Sequence, residues 1–278
     1  MSGAAVSGEE PLDLGGRVVL VTGGAGGLGR AMARALVASG ARVVLADVAA
    51  SGVGAFADEL GPQALAVAAD ISTPEGVSAV VTASERAFGP VEVLVNNAGI
   101  GMGVVRAGDR YSRPIHLFEV EPEHLRAFFA VHVYAPFLLT KALAPQMVDR
   151  GFGRIVTVTT SLSTMIRPGN APYGPMKAAS EAFTAIAAGD LEGTGVTANI
   201  LVPGGGADTA MVPEVAGRSR AGLVTPEKMG PPVVWLASDE SAGATARRFL
   251  GRLWDPGLPR AEAAAAAAFP IAWPLETS

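Results

Sequence analysis

The sequence predicts an α/β fold: a single domain built on a doubly wound parallel sheet with helices on both faces. Three observations carry that expectation. Short apolar or β-branched runs alternate with longer Ala-, Leu- and Glu-containing segments along most of the 278 residues, the pattern of right-handed βαβ crossovers. Five glycines crowd the first strand-to-helix junction, between Thr22 and Gly29. Hydrophobic residues make up 49% of the chain and charged residues 17%, enough for a large core with disorder confined to the ends. The expected organisation is a flexible terminus over 1–12, one domain over 13–255 and a C-terminal extension over 256–278.

The strands are expected at 18–22, 42–46, 64–68, 91–95, 154–159 and 196–202, each a short buried-type run bounded by turn residues. Between them, 27–39, 53–60, 74–88, 122–150 and 172–192 read as helices. A further helix over 226–238 precedes a weakly marked seventh strand over 248–254. Three segments fit no sheet element: 101–118, 204–222 and the tail from Pro256. The first two follow strands, where the loops of an open α/β sheet line the ligand crevice.

A formal charge of -5 with scattered basic residues gives no field for nucleic acid or an anionic membrane, and neither partner is expected. Cysteine is absent, which excludes disulfides, thiolate zinc sites and a Cys nucleophile. The three histidines, His116, His124 and His132, do not form a metal-ligand spacing, so no metal is expected. Residues 1–11 do not read as a secretory leader, and the bland run 263–269 is too short to span a bilayer, which needs roughly 20 apolar residues. A soluble, cytoplasmic protein is expected.

The glycine run fits two spacings, Gly24-x-Gly26-x-x-Gly29 and Thr22-Gly23-x-x-x-Gly27-x-Gly29. Either leaves bare backbone where a pyrophosphate can approach a helix N-terminus, so the turn is expected to bind a dinucleotide. Asp47 closes the second strand, where a carboxylate accepts hydrogen bonds from the adenosine ribose and repels a 2′-phosphate; NAD(H) is expected over NADP(H). The competing role for Asp47 is an ordinary turn carboxylate. Asp70, after the third strand, either meets the adenine or caps the turn before Pro74.

Tyr173 and Lys177 lie four apart at the start of a helix and share one face. A nearby ammonium can lower a phenol from its usual value near 10 toward neutrality, which takes roughly 4 kcal/mol. The Thr157–Thr160 run, with Ser161 and Ser163 following, offers a hydroxyl to a carbonyl oxygen.

With Asn96-Asn97-Ala98-Gly99 after the fourth strand and Pro203-Gly204 after the sixth, these pieces occur in one order across nearly the whole chain. In that combination the chain resembles the short-chain dehydrogenase/reductases. The resemblance implies a Rossmann-type fold, the second glycine spacing, and interconversion of a secondary alcohol and a ketone with hydride passing at the nicotinamide C4. Tyr173 would be the general acid/base, and Lys177 would bind the nicotinamide ribose and lower the Tyr173 pKa. Cofactor contacts would come from Thr22, Gly23, Gly27, Leu28 and Gly29, from Asp47 and Val48, and from Asp70 and Ile71. Asn96, Asn97, Ala98 and Gly99 would line the adenosine side, and Pro203, Gly204 and Thr209 the carboxamide. The family also implies a homotetramer or homodimer formed through its two long helices.

The chain departs from the family pattern in five places, one of them the stretch Pro203-Gly-Gly-Gly206 to Thr209, one residue longer than usual, which leaves the carboxamide contact of Thr209 open. Thr160 stands where the family usually has serine, thirteen residues before the tyrosine, with Ser161 as the other candidate. His132 stands where an asparagine usually holds a water behind the lysine; it either binds that water and adds a titration near neutral pH, or simply packs in its helix. The loop 101–118 is long, and its Tyr111, Arg113 and His116 either close over substrate or form a solvated insertion. The tail carries Phe269, Ile271 and Trp273 between prolines and packs either on a neighbouring subunit or on its own. Met102, Val104, Met165, Ile166 and Met211 point to an apolar or aromatic substrate. Two other activities fit the same scaffold: reduction of an imine or activated double bond, and cofactor sensing without turnover.

Overall fold

The structure is a computed structural model, and it describes residues 9–107, 113–212 and 219–273. In chain order its elements are β1 (Val18–Thr22), α1 (Gly27–Ala38), β2 (Arg42–Asp47), α2 (Val53–Leu60), β3 (Ala64–Ala68), α3 (Pro74–Ala87) and β4 (Val93–Asn96). There follow α4 (Pro122–Phe129), α5 (Ala135–Asp149), β5 (Gly153–Val158), the short α6 (Leu162–Met165), α7 (Tyr173–Asp190) and β6 (Val196–Val202). The chain then forms α8 (Gly230–Ala237), β7 (Arg247–Leu250), α9 (Arg260–Ala267) and β8 (Ala268–Pro270).

Among the described residues eight strands form one sheet in the order β3-β2-β1-β4-β5-β6-β7-β8, parallel throughout except for β8. This is the predicted doubly wound α/β fold. Strand alternation sends Val19 and Val21 of β1 to one face, against Met32 and Leu36 of α1, Phe56 of α2 and Val233 of α8. Val18 and Leu20 point to the other, against Val77 and Val80 of α3 and Leu139, Leu143 and Met147 of α5. Both faces being covered, β1, β4, β5 and β6 are buried at every residue, which is why they read as unbroken apolar runs. The winding reverses between β1 and β4, the place where open α/β sheets bind ligands beyond the carboxyl ends of their strands.

The helix expected over 122–150 contains a π turn at Ala130–Tyr134, between α4 and α5. Pro136 explains it: proline has no N–H to give the carbonyl four residues back, and its ring crowds that carbonyl. The freed carbonyl is that of His132, and the Ser180 hydroxyl of α7 donates to it at 2.5 Å. By length and composition Pro122–Asp149 is able to cross a membrane. In the domain it packs on α3, α7 and β5.

The two ends differ most from expectation. Ala263, Ala264 and Ala267 of α9 are buried in the core, and β8 pairs antiparallel with β7, matching Arg248 to Phe269. The tail therefore continues the same sheet, and through the backbone of Ile271 and Ala272 it is tied to its own domain, while the Phe269 and Trp273 side chains are exposed. An alanine run shows no amphipathic period and a three-residue strand ending in proline shows no alternation, so neither could be read. Residues 9–12 are not loose: Arg260 donates to Glu9 Oε2 from its backbone N–H at 3.0 Å and to the Glu10 carbonyl at 2.8 Å, while Leu12 packs on the core. The seventh strand ends at Leu250, where a short 3-10 turn begins, and the helix expected over 226–238 opens with a 3-10 turn at Pro226–Met229.

Candidate active site

The glycine turn is clipped to the end of β4. The Thr22 hydroxyl accepts from the backbone N–H groups of Asn97 and Ala98, each at 3.0 Å, and the Asn97 amide donates to the carbonyls of Thr22 and Gly23 at 2.9 and 3.1 Å. Thr22 and Asn97, expected as cofactor contacts, thus have their polar atoms engaged in positioning the turn. A Cβ on Gly29 would lie 2.2 Å from the Gly23 carbonyl oxygen, and one on Gly23, whose φ is +62°, would lie 2.8 Å from Ala98 Cα. These two positions accept only glycine.

Helix α1 has Gly26 at its N-cap, without a side-chain hydrogen bond there, and no acidic residue in its first turn. Its first amides, those of Gly27, Leu28 and Gly29, keep the positive end of the helix for an anion, and the bare cradle fits a pyrophosphate. At the end of β2, Asp47 accepts from Ala25 N–H at 3.0 Å and from Val48 N–H at 2.8 Å, which holds its carboxylate beside the turn next to the exposed Val48. Asp70 caps its own turn, accepting from Ser72 N–H at 3.0 Å and Ser72 Oγ at 2.6 Å, while Ile71 is buried in the core.

The segment after β6 roofs the crevice. Gly204, at φ +91°, makes room for the Arg252 side chain, and the Pro203 carbonyl accepts from Arg252 N–H at 3.0 Å. Thr209 lies over the turn: a Cβ on Gly27 would meet its Cγ2 at 2.6 Å. Two residues on, Met211 lies over Gly101, where a Cβ would meet its Cγ at 2.6 Å. Arg220 pins this segment, bonding Asp208 through Nε at 2.7 Å and the Val212 carbonyl at 2.9 Å.

On the other wall, a chain of contacts runs from the glycine turn to Tyr173. Ala98 bonds Thr22, Gly99 makes room for the His132 ring, and that ring meets Tyr173 edge-on at 5.5 Å. The Tyr173 ring packs on Met102, Ile115 and Phe128. Lys177 is buried; its Nζ donates to the Val158 carbonyl at 2.8 Å and lies 6.0 Å from the Tyr173 ring centre. Burial pushes the Lys177 pKa down to about 8.

His132 Nε2 lies 2.9 Å from the Ile100 carbonyl oxygen and 3.2 Å from its N–H, while Nδ1 is buried with no hydrogen-bond partner among the described residues. Burial, helped by the Lys177 charge, lowers its pKa to about 3. Enclosure therefore disfavours the charged ring and speaks against the alternative of a titration near neutral pH.

Thr160 is half-buried at the end of β5. Ser161 is the N-cap of α6, its hydroxyl bonded to Thr164 Oγ1 at 2.6 Å and accepting from Thr164 N–H at 3.3 Å. Of the substrate-loop residues, Tyr111 lies outside the described residues. Arg113 and His116 are exposed, and the loop is organised around Glu119, which pairs with Arg106 at 3.0 Å. The His116 N–H donates to the Glu119 carboxylate and, with Arg106, holds its pKa below the usual carboxylate range. Met102 and Met165 are buried, whereas Val104, Ile166 and Met211 remain on the surface. Hollows along α3 and under the amino end of β1 are remote from all these groups.

Sequence reasoning missed a buried polar cluster directly behind Thr160, built from Thr159, Glu181 and Arg248. A signal for it existed: Tyr173, Lys177 and Glu181 follow one another at intervals of four, so an acidic residue shares the helix face of the pair.

Comparison with known proteins agrees with this geometry. The family described as short chain dehydrogenase matches residues 17–219. An NADPH-dependent aldehyde reductase-like protein, chloroplastic, of Arabidopsis thaliana is 35% identical over 83% of this chain and 91% of its own length. The 3-oxoacyl-acyl-carrier-protein reductase of Escherichia coli (strain K12) is 30% identical over 83% of this chain and 93% of its own. The crystal structure of a 3-ketoacyl-acyl-carrier-protein reductase from Brucella melitensis complexed with NADH superposes with a TM-score of 0.73 at 31% identity, covering 84% of this chain and 95% of that one. With its glycine turn, its Tyr173–Lys177 pair and its sheet order all in place, the chain belongs to the short chain dehydrogenase family and is an oxidoreductase of that type.

Proposed function

We propose that this oxidoreductase interconverts a secondary alcohol and a ketone, with NAD(H) preferred over NADP(H). The carrying observation is the buried Lys177 ammonium, held by the Val158 carbonyl at the end of β5, two residues before Thr160, and 6.0 Å from the Tyr173 ring. When bound, a nicotinamide dinucleotide supplies or accepts a hydride at its C4 carbon. The N-terminal amides of α1 would hold its pyrophosphate, Asp47 its adenosine ribose and Lys177 its second ribose.

In reduction, Tyr173 gives its phenolic proton to the substrate oxygen; in oxidation it takes the alcohol proton. Lys177 favours the phenolate by its charge, in a crevice wall dry enough for that charge to act strongly. The Thr160 hydroxyl donates to the same substrate oxygen and fixes its position. Ser161 is committed to its cap, which favours Thr160 for this role.

The Asp47 carboxylate supports NAD(H), since it would repel a 2′-phosphate; the NADPH named for the Arabidopsis protein and the NADH of the Brucella complex belong to those proteins. The surface side chains Val104, Ile166 and Met211 support an apolar or aromatic carbonyl substrate. An exposed aromatic strip, Phe129, Tyr134 and Phe137 with Phe183 of α7, supports pairing of two copies through these helices, in a homodimer or homotetramer. A cytoplasmic setting belongs to the same proposal. Initial rates with NADH and NADPH over a panel of apolar aryl ketones test it. Turnover with NADH the better donor is expected, and tight NADH binding without turnover of any carbonyl would overturn it.

A further inference from the structure

We propose that the buried ion pair between Arg248 of β7 and Glu181 of α7 is a positioning device that sets the Thr160 hydroxyl and couples it to the C-terminal strand β8. The inference rests on the reading of Thr160 as the hydroxyl donor.

The pair is almost fully enclosed, 5% and 0% exposed, with Arg248 Nη1 2.8 Å from Glu181 Oε2. The Thr159 hydroxyl donates to that same oxygen at 3.0 Å and accepts from Arg248 Nη1 at 3.2 Å. Arg248 Nη2 donates to the Thr160 carbonyl, so the guanidinium grips the backbone of the residue proposed as the hydroxyl donor. The remaining oxygen, Glu181 Oε1, accepts from the backbone N–H of Ala272 at 3.1 Å.

Ala272 reaches that oxygen with φ +59°, a left-handed conformation unfavourable for alanine. Its neighbour Ile271 is tied to the Ala246 carbonyl, and β8 holds the register of Phe269 opposite Arg248. One route thus leads from the tail amide through a carboxylate and a guanidinium to the strand end at Thr160. A buried ion pair adds little net stability over apolar residues of similar size, but its directional bonds fix what they touch. Glu181 also stands one helical turn beyond Lys177, so α7 aligns proton donor, ammonium and positioning carboxylate on one face.

Two measurements on the full-length protein test the inference. The first is hydrogen exchange of the backbone over 159–164 in Ala272→Pro, which removes the tail N–H and, with φ locked at about −65°, also takes the tail backbone away from Glu181, and in Ala272→Gly, which keeps both the N–H and the left-handed backbone. About tenfold faster exchange in the proline variant alone is expected, the scale of one lost charge-assisted bond. Unchanged exchange, or equal acceleration in both, overturns the coupling to the tail. The second is kinetics of the double variant Arg248→Met, Glu181→Leu, which removes both charges together. A kcat per folded enzyme lower by about 10- to 100-fold is expected, with KM for NADH nearly unchanged. A merely structural pair would leave kcat per folded enzyme at the wild-type value, and that result overturns the positioning role. Wild-type protein inactive on every carbonyl would instead defeat the proposed reaction, while the exchange arm would still decide the link to the tail.

Discussion

Replacing Lys177 with methionine should make the protein more stable and inactive. Burial takes the Lys177 pKa from 10.5 to about 8, so at pH 7 the folded state holds a charge disfavoured by about 3 kcal/mol. Methionine fills nearly the same volume without the charge. The Val158 carbonyl then loses its donor, which returns about 1 kcal/mol of that gain. A net gain of about 2 kcal/mol raises the melting temperature by roughly 4–8 °C in a protein of this size.

The sign of the pH dependence is equally specific. Below about 8 both folded and unfolded wild type carry the proton, and the folded state bears the full penalty. Between about 8 and 10.5 the folded state releases the proton first, so wild-type stability rises with pH and the advantage of the variant shrinks. Denaturant unfolding of both proteins without cofactor, at several pH values from 7 to about 10, measures this. A variant less stable at pH 7, or an advantage constant across that window, would refute the reasoning.

Asp47→Asn removes the charge beside the turn, and the ratio of kcat/KM for NADPH over NADH should rise about tenfold or more; an unchanged ratio would remove Asp47 from cofactor choice. Gly29→Ala would place a methyl 2.2 Å from the Gly23 oxygen, so NADH affinity, read by fluorescence titration, should fall at least about tenfold. Ser161→Ala should lower stability by about 1 kcal/mol through its lost cap and keep kcat, whereas Thr160→Val should lower kcat by about 100-fold or more. With its pKa at about 3, His132 should contribute no limb to the pH–rate profile, and wild type and His132→Asn should give profiles of one shape between pH 5 and 8.

The sheet was legible in the sequence because strands buried on both faces, such as 18–22 and 196–202, leave unbroken apolar runs between turn residues. The site was legible where chemistry forces a residue type. Gly23 and Gly29 have no room for a side chain, and Tyr173 and Lys177 must share a helix face. What escaped depends on long-range packing. Nothing near His132 in sequence announces that Gly99 will receive its ring and that the enclosure will strip its charge. Arg248 lies 67 residues from Glu181, and Ala272 meets that carboxylate with a backbone amide, a group every residue carries. The alternatives for Thr160 and Ser161 hinged on a four-residue helix, α6, whose cap absorbs the serine.

The account turns on the proton held at Tyr173, and Tyr173→Phe tests it most directly, since phenylalanine keeps the ring packed on Met102, Ile115 and Phe128 and removes only the hydroxyl. Steady-state oxidation of NADH with the best ketone of the panel should fall by about 100- to 10,000-fold in the variant, with NADH affinity unchanged. A variant that turns over the ketone at the wild-type rate would contradict the account.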